Sequence, residues 1–217
     1  MEYIAKEIKC ATAESTQPTL TGFAETNGYC QIGVADDSTF GDSFFQYDLS
    51  GIPKGAVITS ANLMLNVTHK NFYPKDITLY DIVNEWTEDS VSWNNKPTRG
   101  TARTSAFRVS AKGWLSKDIT ALVQEWVDGT FENNGINLYQ GNNATRSDVK
   151  ISNRYNAGGQ DLATYIEINF ISEQMHKISE TRLREFGDEI RRITGKTNYM
   201  TVETMLTELK AIPVQTS

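Results

Sequence analysis

The chain has 217 residues, 39% of them hydrophobic and 22% charged, and these proportions predict a folded protein with a sizeable core. Its 21 basic and 27 acidic residues give a net charge of -6, which argues against a general nucleic-acid-binding surface because such surfaces need clustered Lys and Arg. No apolar run approaches the ~20 residues of a membrane-spanning helix, and residues 1–6 lack the apolar core of a signal peptide. We therefore expect a protein made in the cytoplasm that binds neither membranes nor nucleic acid.

Residues 1–171 carry a hydrophobic pattern with a period of two, which is typical of β-strands. Residues 77–83 are apolar on both faces, as in a central strand, and Asn133-Asn134-Gly135 is typical of a turn. The alternating apolar residues are Phe45, Tyr47 and Leu49; Ala61, Leu63, Leu65 and Val67; Ile136 and Leu138; and Ile166, Ile168 and Phe170. The pattern predicts a mainly β fold, an antiparallel jelly-roll-like β-sandwich.

Residues 118–129 break this pattern, because their apolar positions have helical spacing. Asp118 is placed to cap the first turn, and Gly129 to end the last. We expect one short internal helix that closes one end of the sandwich. Its apolar residues are Ile119, Leu122, Val123, Trp126 and Val127.

Residues 172–217 have helical periodicity and predict a C-terminal α-helical hairpin, with Gly195 ending the first helix and Thr201 beginning the second. Two amphipathic helices this short are marginal alone, so we expect them to serve oligomerisation or attachment to a particle. Dimer, trimer and intramolecular docking all remain open. The apolar residues assigned to assembly are Met175, Ile178, Leu183, Phe186, Ile190, Ile193, Met205, Leu206 and Leu209.

Residues that could support catalysis are sparse. His69 and His176 are the two histidines, and neither lies in a recognisable catalytic motif. The acidic residues Glu85, Glu88 and Asp89 are interpreted as surface charge rather than as the carboxylate pair of a glycosidase. The sequence therefore predicts no enzyme and no cofactor.

Cysteines and aspartates give weaker signals. Cys10 and Cys30 are either two buried thiols or, if the protein ends up outside a cell, a disulfide between early strands. Asp36, Asp37 and Asp148 are candidates for a structural Ca²⁺ site completed by backbone carbonyls, with a polar loop as the alternative. No other metal site is expected.

Aromatic residues are the best candidates for ligand binding, because sugars stack on exposed rings flanked by polar groups. Trp86, Trp93, Trp114 and Trp126 qualify by residue type, but the positions of Trp86, Trp93 and Trp126 favour core packing. The predicted surface binding residues are Phe72 and Tyr73 in one loop, and Tyr155 and Asn156 in another.

Three ordered motifs give a more specific signal, and they cover roughly residues 5–170. They lie at residues 45–63, 86–97 and 114–136. They resemble the DNRLRE-type β-sandwich domain, which is similar to jelly-roll carbohydrate-binding modules and occurs in large surface proteins of bacteria and archaea. The resemblance implies a non-catalytic binding or structural sandwich, and it carries over no set of sugar-binding residues.

The C-terminal residues 186–205 resemble a helical segment of tail, baseplate and other virion proteins of phages. This resemblance favours a non-enzymatic virion protein, a capsid decoration, head fibre, or tail or baseplate accessory. It would associate with itself and with other virion proteins, and display a sandwich that binds polysaccharide on the host surface. The alternative is a host-encoded cell-surface carbohydrate-binding module.

Overall fold

The structure is a computed structural model that describes residues 1–71, 76–141, 146–172, 181–182, 184–189 and 191–192. The chain divides into two compact units, Met1–Ile171 and Ser172–Ser217. Within the described ranges, no helix combines the length and hydropathy needed to cross a membrane.

The second unit is helical in each described stretch between residues 181 and 192. Of the residues assigned to assembly, Phe186 is described, and its side chain is 43% exposed. The hairpin and its packing stay a prediction. The other assembly residues lie outside the described residues: Met175, Ile178, Leu183, Ile190, Ile193, Met205, Leu206 and Leu209.

The first unit is built almost entirely from strands. Its elements are β1 (Glu2–Glu14), α1 (Phe23–Asn27), β2 (Tyr29–Val34), β3 (Phe40–Tyr47), β4 (Val57–Lys70), β5 (Asp76–Ile82), β6 (Arg99–Ala102), β7 (Phe107–Arg108), β8 (Gly113–Asp118), α2 (Thr120–Asp128), β9 (Ile136–Gln140), β10 (Val149–Ser152) and β11 (Tyr165–Ile171). Short 3₁₀ turns lie at Glu88–Ser90 and Gly159–Asp161.

Six of these strands close a barrel in the order β1-β11-β4-β10-β2-β3, with β3 pairing back to β1. Closure depends on β1 and β2, each of which changes its pairing partner along its length. Residues 2–6 of β1 pair with β11 and residues 7–14 with β3, while β2 passes from β10 to β3. Every pairing between described strands is antiparallel, which confirms the predicted antiparallel β fold.

The core follows the alternation in the sequence. On β4, Ala61, Leu63, Leu65 and Val67 are each at most 1% exposed, while their neighbours in sequence are half-buried or exposed. Burying one such side chain stabilises the fold by about 1.5–3 kcal/mol. A smaller apolar cluster lies apart from the main core and contains Trp86, with Trp93 packed against it.

Helix α2 lies where the sequence predicts it, with Leu122, Val123 and Trp126 buried. The predicted cap is wrong by one residue, because Ile119 is the N-cap. Asp118 precedes it, and its Oδ1 accepts hydrogen bonds from the backbone N–H (2.8 Å) and hydroxyl (2.6 Å) of Thr120. The five-residue helix α1 was not expected, because it is too short to show an amphipathic period.

A buried carboxyl group, Glu7, lies where β1 passes from one sheet to the other, and it is 1% exposed. Its Oε1 accepts a hydrogen bond from the backbone N–H of Arg154 at 3.0 Å, and its Oε2 accepts one from the hydroxyl of Thr164 at 2.7 Å. Burial raises the pKa of Glu7, although these hydrogen bonds act in the opposite direction.

We expect Glu7→Gln to change how stability depends on pH. Between the unfolded-state and the raised folded-state pKa, the folded protein holds the extra proton, so wild-type stability falls as pH rises through that window. In this window the free energy of unfolding of the wild type changes by at most about 1.4 kcal/mol per pH unit because of Glu7. The Gln variant lacks this contribution. Urea unfolding of both proteins at about pH 5 and about pH 8 tests this. A constant stability difference at both pH values would contradict it.

Candidate functional site

The predicted binding loop with Phe72 and Tyr73 lies outside the described residues. The other predicted pair, Tyr155 and Asn156, is described. Asn156 donates from Nδ2 to the carbonyl of Gly28 (3.3 Å) and accepts at Oδ1 from the N–H of Gly158 (3.1 Å). Both ends of its amide therefore fix the local turn.

Tyr155 is 36% exposed, but its polar end and one ring face have partners. Its hydroxyl lies 3.0 Å from Oε2 of Glu88 and 3.3 Å from Oε1 of Glu25, and the guanidinium of Arg154 lies 4.5 Å from the ring centroid. Burial, followed by Glu88, raises the pKa of Tyr155. These contacts fix both residues within the protein. Ligand binding by Tyr155 and Asn156 stays a prediction.

Glu88 is not an exposed surface charge, in contrast to the interpretation of the acidic residues Glu85, Glu88 and Asp89 from the sequence. Its side chain is 15% exposed and pairs with Arg154, and its Oε1 accepts a hydrogen bond from the backbone N–H of Cys10 at 2.7 Å. The role of Glu88 is therefore to hold the 3₁₀ turn against β1. Glu85 and Asp89 are exposed, as expected.

The aspartates considered for Ca²⁺ lie around an amide instead. Nδ2 of Asn71 donates to Oδ1 of Asp36 (2.8 Å) and to Oδ1 of Asp148 (2.9 Å), and Oδ1 of Asp37 accepts from the N–H of Thr39 (2.9 Å). Within the described residues, no group of three or more His, Cys, Asp or Glu side chains could hold a metal ion. One oxygen of each of these three carboxylates thus already accepts a protein hydrogen bond.

One exposed aromatic side chain stands out on the described surface. Trp114 is 46% exposed, although tryptophan is usually largely buried. It lies on β8, directly opposite Asn66 of β4, while Tyr165 of β11 lies opposite Met64 of the same strand. The alternation that buries Leu63 and Leu65 places these residues on the outer face of the sheet.

We call this surface the Trp114 face. It spans the strands β8, β4, β11 and β1, a width of about 14 Å at the usual strand spacing. Its members are all half-buried or exposed: Trp114, Ser116 and Asp118; Asn62, Met64 and Asn66; Tyr165 and Glu167; and Ile4 and Lys6.

The two aromatic rings meet across β4. The centroids of Trp114 and Tyr165 lie 5.3 Å apart with their planes at 65°, an edge-to-face contact that holds both rings. The hydroxyl of Tyr165 lies 3.4 Å from Oε1 of Glu167, and burial, followed by that carboxylate, raises the pKa of Tyr165. The indole of Trp114 is thereby oriented and still accessible.

Polar groups beside the rings are available for a ligand. Asn66 donates from Nδ2 to the carbonyl of Leu162 at 3.2 Å, and its Oδ1 keeps acceptor capacity. Within the described ranges, the side chains of Asn62 and Ser116 make no hydrogen bond to other protein groups. The Trp114 face has one basic residue, Lys6, and two acidic residues, Asp118 and Glu167, so it contains no cluster of cations.

A pocket of about 570 Å³ beside Trp86 is the other candidate. Its lining includes Gln46 and Asn133, whose oxygens Oε1 and Oδ1 have less than 1 Å² exposed and no hydrogen-bond partner among the described residues. A ligand hydroxyl reaches neither oxygen unless the wall moves, because so little of each is accessible. The Trp114 face is therefore the better candidate site.

In the sequence, Trp114 is a candidate by residue type alone. Strand β8 has no hydrophobic alternation, because Leu115 and Lys117 occupy its half-buried positions. The usable signal was the single tryptophan of the segment between Gly113 and α2. That signal does not show which strands flank Trp114.

An antiparallel all-β fold with an exposed aromatic sheet face is typical of the class of β-sheet binding modules, which includes lectin and oligosaccharide-binding domains. The family model of carbohydrate-binding module family 96 matches residues 22–168, and the chain belongs to this family. The resemblance to a carbohydrate-binding module is thereby confirmed, and families of this kind are in general non-catalytic. A comparison with curated proteins found no match.

Proposed function

We propose that this protein binds a saccharide chain on the Trp114 face and does no chemistry on it. The observation that carries the proposal is the 46% exposed indole of Trp114, on a sheet face of a family 96 module. The apolar face of a sugar ring stacks on an exposed indole, and its hydroxyls pair with nearby amides and hydroxyl groups. Asn62, Asn66 and Ser116 supply those groups.

The charges of the face favour a neutral chain. One lysine and two carboxylates provide no site for a run of uronate groups, and the whole protein carries a net charge of -6. Long-range repulsion of a polyanion should therefore slow its association, most strongly at low salt.

Titration calorimetry of the full chain with neutral polysaccharides (xylan, mixed-linkage glucan, cellulose oligomers) and acidic ones (polygalacturonate, alginate) tests this function. We expect binding to at least one neutral chain and no release of reducing ends during incubation. Reducing-end release from any of these chains would contradict the non-catalytic proposal. Binding to the acidic chains alone would contradict the proposed ligand class.

We further propose that the module is displayed on a phage virion as a capsid decoration, head fibre, or tail or baseplate accessory. The support is the C-terminal sequence, residues 186–205, which resembles segments of phage virion proteins. Many displayed copies would convert weak saccharide contacts into avid attachment to a cell. Deletion of residues 172–217 should then abolish incorporation into particles. A normal copy number of the truncated protein in purified virions would refute attachment through this segment.

The alternative is a host-encoded cell-surface carbohydrate-binding module. The family match spans residues 22–168, concerns the binding domain alone and is compatible with both alternatives. The neighbouring genes discriminate the two: capsid and tail genes favour the virion, and genes for surface proteins or polysaccharide metabolism favour the host module.

A further inference from the structure

The two cysteines of the chain lie in the same part of the core. Cys10 is on β1 and Cys30 on β2, and they are 1% and 0% exposed. Both are free thiols that belong to the main hydrophobic cluster. The proposed saccharide site uses neither of them.

Backbone geometry brings the two cysteines together. Thr12 lies two residues after Cys10 on β1, so the two side chains are on the same face of the strand. Its Oγ1 accepts a hydrogen bond at 3.2 Å from the backbone N–H of Gln31, the residue after Cys30. The hydroxyl of Ser43 on β3 lies 2.9 Å from Oγ1 of Thr12 and donates to the carbonyl of Gln31 at 2.6 Å. The side chain of Thr12 thus contacts the backbone of β2 at the residue next to Cys30.

The neighbouring thiol of Cys30, followed by burial, raises the pKa of Cys10. Strands β1 and β2 are not neighbours in the barrel, since β3 lies between them. A covalent bond between these side chains would therefore join two strands that share no backbone ladder.

We propose that Cys10 and Cys30 are a disulfide site, which forms an internal cross-link between β1 and β2 in oxidising surroundings. The oxidant is a low-molecular-weight disulfide such as oxidised glutathione. One cysteine thiolate attacks the oxidant, displaces one glutathione thiolate and forms a mixed disulfide. The second cysteine thiolate then displaces the other glutathione, so that two protein thiols lose their protons and electrons as two molecules of glutathione are formed.

The folded environment determines when the reaction occurs. The raised pKa of Cys10 and the burial of both sulfurs suppress the reactive thiolate, so oxidation of the folded protein should be slow. Oxidation during folding should be fast, because the thiols are then accessible. The cross-link closes a loop of about twenty residues, for which we expect a rise of the melting temperature by ~6–12 °C.

The test refolds the full chain from urea with mixed reduced and oxidised glutathione, with reduced glutathione alone as the control. Intact mass after alkylation and the melting temperature with and without reductant are measured. We expect the glutathione redox mixture to yield a monomer that has lost two hydrogens, takes up no alkylating agent, and melts higher until reductant is added. Cys30→Ala should melt at one temperature with or without reductant.

Two outcomes would overturn the proposal. One is a refolded wild-type protein that still alkylates at both cysteines after the glutathione mixture. The other is a cross-link that joins two chains instead of two strands. Neither measurement requires a saccharide, so the result is independent of the proposed function.

Discussion

Trp114→Ala is expected to weaken saccharide binding by ~5–150-fold, a loss of about 1–3 kcal/mol. The physical reason is that the indole is 46% exposed and oriented by Tyr165, so stacking on it needs little rearrangement of the protein. Because the contact with Tyr165 is lost as well, we expect the free energy of unfolding to fall by about 1–2 kcal/mol, so the variant should still fold. Calorimetric titration with the tightest-binding neutral polysaccharide measures the loss.

Two control variants test whether binding needs an aromatic ring at position 114 and whether the other exposed aromatic residue contributes. Trp114→Phe keeps a ring at the same site and should retain part of the affinity. Tyr155→Phe keeps the ring of the other exposed aromatic candidate and removes its hydroxyl contacts to Glu88 and Glu25. It should bind like the wild type. Loss of binding in Tyr155→Phe with full binding in Trp114→Ala would move the site from the Trp114 face to the loop with Tyr155.

The polar side chains of the Trp114 face should contribute less than the ring. Asn62→Ala is expected to weaken binding by about 0.5–1.5 kcal/mol, since one neutral hydrogen bond is lost. Thr59→Ala is the matched control on the same strand, because the hydroxyl of Thr59 donates to the carbonyl of Asn169 at 3.0 Å instead of facing a ligand. Equal affinities of the two variants would exclude a role for Asn62.

The parts of the fold that the sequence predicts are those with local causes. Residues 61–67 of β4 alternate strictly between buried and half-buried, so the burial of the apolar ones could be predicted from the sequence. Helix α2 follows from its apolar spacing and from Gly129, which has the left-handed φ of 72° expected at a helix end. Both features depend on fewer than fifteen consecutive residues.

The parts that could not be predicted depend on pairing between distant segments. Barrel closure requires β1 to exchange partners between residues 6 and 7, and nothing in its apolar pattern marks that point. The Trp114 face could not be predicted for the same reason, because Trp114 and Tyr165 are 51 residues apart and meet only after their strands both pair with β4. The burial of Glu7 and Glu88 likewise requires distant partners, which are Arg154 and Thr164 for Glu7 and Arg154 for Glu88.

Gly135→Ala is expected to cost about 2–5 kcal/mol of stability. Gly135 has φ of 89°, and a Cβ there would overlap the carbonyl oxygen of Phe45. That oxygen belongs to the backbone of β3, which pairs with β9 at this point, so the overlap is relieved only if the two strands move apart. Unfolding in urea, monitored by tryptophan fluorescence, measures the loss.

Gly129→Ala is the matched control for the backbone conformation. Gly129 has a similar φ of 72°, but a Cβ there would meet nothing within 4 Å. Its cost should be about 1–2 kcal/mol, the penalty for a left-handed residue alone. Equal losses in the two variants would show that the approach of β3 adds nothing. Because Gly135 precedes β9 and the Trp114 face is built on β8, β4, β11 and β1, Gly135→Ala should bind saccharide with wild-type affinity wherever it is fully folded.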